Sequence, residues 1–128
     1  MPIAVVLSIL ALALTCLQSF VAPAPASAQL VTVVRHGGLC PSRACGATYR
    51  ITAKSLTGSE RQRLRRAVAA LDWKQIRAHP FKGTCPLALD GQETIYRFRG
   101  FPHELASCRY DLRTVRAVRL TERLLRSS

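Results

Sequence analysis

The chain has 128 residues and carries 19 Lys and Arg against 7 Asp and Glu, a formal net charge of +12 at pH 7. That length suits one small domain and excludes the large layered α/β enzymes. Aromatic residues make up only 6% and do not alternate with basic ones, so the pattern does not suit a stacking platform for single-stranded nucleic acid.

Residues 1–28 contain no charged side chain. Ile3 to Leu14 is an almost unbroken run of Ile, Ala, Val and Leu, followed by Pro23-Ala24-Pro25 and the small-residue triplet Ala26-Ser27-Ala28. An apolar stretch ending in small residues at −3 and −1 is what a signal peptidase reads, although here only the amino terminus supplies the usual leading charge. The run is shorter than the ~20 residues that span a bilayer. Thr15 before Cys16 does not fit a lipidation site. The expectation is a signal peptide over 1–28 and a single secreted or periplasmic domain over 29–128, with no transmembrane segment in the mature part.

Leu30 to Arg35 is apolar and β-branched and predicts a strand that His36-Gly37-Gly38 ends. Residues 40–46 are turn-rich. Ala47 to Ala53 alternates, with Tyr49, Ile51 and Ala53 on one face, and predicts a second strand paired with the first. Thr57-Gly58-Ser59-Glu60 reads as a capping box. The helix behind it places Leu64, Ala67, Val68 and Leu71 on one stripe. Asp72-Trp73 starts a separate turn with Trp73 and Ile76 as satellites, and Pro80 forbids continuation. Asp90-Gly91 marks a turn before the alternating strand Thr94 to Arg99. Gly100-Phe101-Pro102 then leads to a short strand, His103 to Cys108. Asp111 is placed to cap a last helix, Leu112 to about Arg126, with Val115, Ala117, Val118, Leu124 and Leu125 on its apolar arc. The expected fold is α+β: two antiparallel hairpins in one sheet, in the order ββαββα, with two helices on one face.

Four cysteines follow the predicted cleavage point. An even number in a small exported domain indicates disulfides, and pairing Cys40–Cys45 and Cys85–Cys108 keeps each bridge within one local unit. No Cys-x-x-Cys pair is present and the histidines have no ligand spacing, so neither zinc nor any other cofactor is expected.

Two features bear on function. Arg116, Arg119, Arg123 and Arg126 fill a narrow face of the last helix and form a candidate anion-binding surface, with Glu122 placed to pair with Arg126 at i, i+4. Arg35-His36-Gly37 after an apolar strand resembles the nucleophile motif of the histidine phosphatases. That resemblance implies His36 as phosphate acceptor and Arg35 as phosphate clamp, with His103 and Glu104 as second histidine and acid. It covers three residues, and no other catalytic constellation accompanies it, so no enzymatic activity is expected.

The succession of Gly37-Gly38, a Tyr-x-Ile strand, a Leu-rich helix, Asp90-Gly91, a Tyr96-x-Phe98 strand, His103-x-Leu105 and a closing Leu-rich helix spans the mature chain. This outline resembles emfourin-type inhibitors of thermolysin-like metalloproteases and other small secreted bacterial proteins. The resemblance implies a non-enzymatic protein whose partner is another protein, such as an extracellular or periplasmic protease. The alternative is a cationic envelope protein that binds polyanions weakly and salt-sensitively. The sequence predicts a mature form beginning at Gln29, and the intact mass of exported protein checks it; a retained apolar segment or lipid on Cys16 would contradict it.

Overall fold

The computed structural model describes residues 28–36, 46–85 and 93–128. The leader up to residue 27, the Cys40–Cys45 pair, Gly37-Gly38 and the Asp90-Gly91 turn lie outside the described residues. Strands β1 (Gln29–His36) and β2 (Thr48–Thr52) precede helices α1 (Gly58–Ala69) and α2 (Trp73–Ala78). Strands β3 (Glu93–Phe98) and β4 (Leu105–Ala106) and helix α3 (Arg116–Arg126) follow. The sheet is antiparallel in the order β2-β1-β3-β4, so β1 is paired on both sides.

The α+β class and the antiparallel sheet match expectation, but the element order differs from ββαββα. Two helices, not one, separate the hairpins. The Asp72 carboxylate accepts from the amides of Lys74 and Gln75 at 3.0 and 3.3 Å, which starts a six-residue helix where the sequence reading placed only a turn. Ile76 is part of the main core rather than a satellite. The strand expected over His103–Cys108 is cut to Leu105–Ala106, because its register opposite Ile95 and Tyr96 gives way at once to turns.

The capping box at α1 is present: Thr57 Oγ1 accepts from the Glu60 amide at 3.2 Å, and Glu60 accepts from the Thr57 amide at 2.8 Å. The last helix starts later than expected. Asp111 does not cap it; its carboxylate is taken by the amide and guanidinium of Arg113. Residues 112–115 form a turn, and α3 opens at Arg116 behind Val115, which offers no capping side chain.

The core lies between the sheet and the helices. Val31 and Val33 of β1, Ile51, Tyr96, Phe98 and Leu105 meet Leu64 and Ala67 of α1 and Ala117, Val118 and Leu124 of α3. A bulge between Gln29 and Val31 breaks strict alternation. Leu30 and Val31 are therefore both buried, and the Leu-Val pair that looks two-sided in sequence serves one core. Thr121 is fully buried on α3, a position the apolar arc did not include; its hydroxyl donates to the Ala117 carbonyl at 2.8 Å, which leaves its methyl for packing. Gly100, at φ +83°, closes the turn after β3 in a conformation that disfavours side chains. Ala28, the last residue of the predicted leader, is buried, and its carbonyl accepts from the Ala53 amide at 3.0 Å. Among the described residues no helix is long and apolar enough to cross a membrane.

Cys85 and Cys108 form a disulfide across 23 positions, with Cα atoms 5.4 Å apart. It ties the segment after α2 to the turn after β4. Closing a loop of that size is worth about 3 kcal/mol in the chain-entropy model. Cys108→Ala should lower unfolding free energy by about that amount, read from the shift in denaturant midpoint under non-reducing conditions.

Candidate anion-binding face and its internal anchor

Arg35 is the last inward-facing residue of β1 before the described stretch ends. After Val31 and Val33, the strand's periodicity delivers its guanidinium to the rim of the core. Glu122 of α3 meets it there. Arg35 Nη2 donates to Glu122 Oε2 at 2.7 Å, and the Tyr96 hydroxyl donates to Glu122 Oε1 at 2.7 Å. The ion pair is largely shielded, with side-chain exposures of 28% and 24%. The Arg35 guanidinium also lies over the Tyr49 ring, 5.2 Å from its centre. Burial opposes the charge on Arg35, but the hydrogen bond and charge of Glu122 outweigh it and raise the Arg35 pKa. Burial, then the hydrogen bond to Glu122, pushes the Tyr96 phenol well above its ordinary value.

The sequence reading pairs Glu122 with Arg126 and does not predict this network. The local i, i+4 spacing was real, but α3 turns Glu122 toward the sheet, where a buried-rim guanidinium and a phenol compete for it more effectively. One signal was available: a lone acid on a helix whose other charges are all basic.

The phosphatase residues are not brought together. Arg35 is committed to Glu122. His36 pairs across the sheet with Glu93, at the end opposite Val31 and Phe98. His103 lies beyond the Phe98 end, since Leu105 already faces Tyr96. The two ends are five residue steps apart, about 17 Å at the rise of an extended chain. His103 stacks on Trp73, ring centres 4.1 Å apart and planes within 6°, while Phe101 and Tyr110 meet the same indole edge-on. Glu104 pairs with Arg97 at 2.6 Å on the surface.

The arginine face of α3 is present. Arg116, Arg119, Arg123 and Arg126 are exposed, as the helical spacing predicted. The structure adds Arg63, which α1 brings to the same side. Arg63, Arg116, Arg119 and Arg123 line a surface groove of about 490 Å3 with Leu120. Arg126 falls instead in an adjacent depression beside Glu122, Tyr96 and Arg113. Among the described residues none of the four groove arginines has a carboxylate partner. Such a set of unpaired, planar five-donor groups is suited to phosphate or sulfate oxygens.

No protein-family model matches the chain, and neither the curated proteins nor the solved structures contain a match.

Because Tyr96 is held protonated by burial and by its bond to Glu122, its raised pKa contributes stability that is complete below the ordinary tyrosine value near 10 and is lost as pH rises above it. In an alkaline absorbance titration the last phenol to ionise should do so together with unfolding, and Tyr96→Phe should abolish that phase. Glu122→Gln should cost about 1–2 kcal/mol by weakening the charged bond to Arg35, measured by denaturant unfolding at neutral pH.

Proposed function

We propose that this chain is a small, disulfide-stabilised, non-enzymatic binding protein of the periplasm or the extracellular space, and that it engages an anionic partner through the groove between α1 and α3. The observation that carries this reading is the convergence of Arg63, Arg116, Arg119 and Arg123 on one groove without a carboxylate among them. Four like charges within one surface groove repel each other. On α3 the pairs at i, i+3 and i, i+4 each cost a few tenths of a kcal/mol, and a bound anion reverses that sign. The Cys85–Cys108 bridge fits an oxidising compartment.

Exposed charges are screened over about 8 Å at physiological ionic strength, so this surface steers and orients more than it clamps. Protease inhibition is the narrower form of the same binding role. It would instead require a stoichiometric complex that survives salt.

The test is retention on heparin and on a short duplex DNA across a salt series. The triple variant Arg116→Gln, Arg119→Gln, Arg123→Gln should fold normally, because the apolar side of α3 is untouched. Its log-log salt slope on DNA should flatten by about 2–3, near 0.9 per phosphate contact removed. An unchanged slope would remove the groove from the binding reading. A salt-resistant complex of the triple variant with a thermolysin-like protease would favour the inhibitor instead.

A further inference from the structure

The arginine groove does not end at Arg116. A second groove, about 370 Å3, begins on the other side of the same residue. Its apolar wall is made by Leu71 just beyond α1, Ile76 of α2 and Val115 before α3, with Ala70 beside them. Ile76 belongs to the buried core, whereas Leu71 and Val115 are only partly buried and pack against it from outside. Asp72 and Asp111 also line it, together with Gln75, His79 and Thr114. The two grooves therefore meet at Arg116: guanidiniums line one, and Leu71, Ile76 and Val115 line the other beside two acids.

We infer that this pair of grooves is a site for a single-chain anionic amphiphile, with its phosphate or sulfate head among Arg63, Arg119 and Arg123 and its alkyl chain along Leu71, Ile76 and Val115. The inference rests on the anion-binding reading above and names the class of ligand. Charge decides the orientation: a head group in the second groove would meet Asp72 and Asp111. Volume decides the number of chains, since about 370 Å3 is near the lower limit of ligand-sized clefts, roughly 300–1,000 Å3, and suits one chain rather than two.

The joint between the grooves is built against the needs of the helix. Arg116 occupies the first turn of α3, where the helix dipole disfavours a cation, and that turn has neither an acidic residue nor a capping side chain. An anion nearby turns each of these local penalties into a favourable interaction. Association with an alkyl chain also supplies what exposed arginines alone lack, an energy that salt does not screen.

The probe is a series of alkyl phosphates from butyl to dodecyl, kept below their critical micelle concentrations and titrated calorimetrically into the full mature chain. Inorganic phosphate and heparin are run beside it. Affinity should rise roughly two- to fourfold per added methylene until the groove is filled, against at most about fourfold for complete burial of each. Arg119→Gln with Arg123→Gln should weaken every member of the series by a similar factor. Val115→Asn makes the apolar wall polar, and the cap it gives α3 offsets the lost packing against the core, so it should still fold, as its denaturant midpoint checks, and flatten the dependence on chain length. Heparin retention with a flat series overturns the amphiphile and leaves the anion-binding reading standing. A steep series that Val115→Asn leaves unchanged also overturns it, because the chain would then lie elsewhere. Loss of heparin retention and of alkyl phosphate binding together overturns both.

Discussion

Glu122 joins the last helix to the first strand, and the placement of the other charges follows from it. Val31 and Val33 make the inner face of β1 apolar, and Arg35, two residues on, would leave a cation at the rim of the core. A partly desolvated guanidinium needs an acceptor with charge. Glu122 supplies it and at the same time accepts the Tyr96 hydroxyl from the neighbouring strand. One carboxylate thus fixes α3 against two strands. With Glu122 facing inward beside Ala117, Val118, Thr121 and Leu124, the helix has no choice about where Arg116, Arg119 and Arg123 point.

Four more acids among the described residues are spent locally. Glu60 completes the cap of α1 and Asp72 caps α2. Glu104 holds Arg97. Asp111 chelates Arg113, whose hydrogen bonds hold its carboxyl down at about 2. None of these carboxylates reaches the arginines of the α1–α3 groove. The net charge of +12 is a property of composition, but the four arginines that share one groove are left without a carboxylate because these acids are used elsewhere. That distinction separates a basic protein from a basic site, because scattered surface charge mainly affects solubility and nonspecific association.

A domain of this size buries a modest share of its unfolded surface and gains from extra ties. Two reinforce the region between α2 and α3. The Cys85–Cys108 bridge is one. The other is the aromatic group in which Trp73 is contacted by His103, Phe101 and Tyr110, with the Arg77 guanidinium 5.8 Å from its ring centre. Aromatic pairs of this kind add about 0.5–1.5 kcal/mol each beyond area burial. They also place the His103 ring in packing, at the opposite end of the sheet from His36.

Much of the fold was legible in the order of residues. The alternation of Tyr96 and Phe98 with Ile95 and Arg97, the stripe of Leu64 and Ala67, the Thr57–Glu60 cap and the outward arginines of α3 all rest on local spacing, which the backbone's own periodicity converts directly into faces. What escaped depended on which elements meet. The bulge that turns both Leu30 and Val31 inward exists because β2 pairs out of step with β1. Asp111 is a local exception: its carboxylate accepts from the amide and guanidinium of Arg113, and α3 opens only at Arg116. Glu122 had a partner available four residues along its own helix, yet it bonds Arg35, 87 positions earlier in the chain, because the sheet brings a shielded guanidinium within 2.7 Å. Arg63 joined the anion-binding face only through the packing of α1 on α3. Sequence determined the faces of each element, since these depend on residues a turn or a pleat apart; tertiary structure decided the charge partners, since electrostatic energy depends on distance and burial in space and not on separation along the chain.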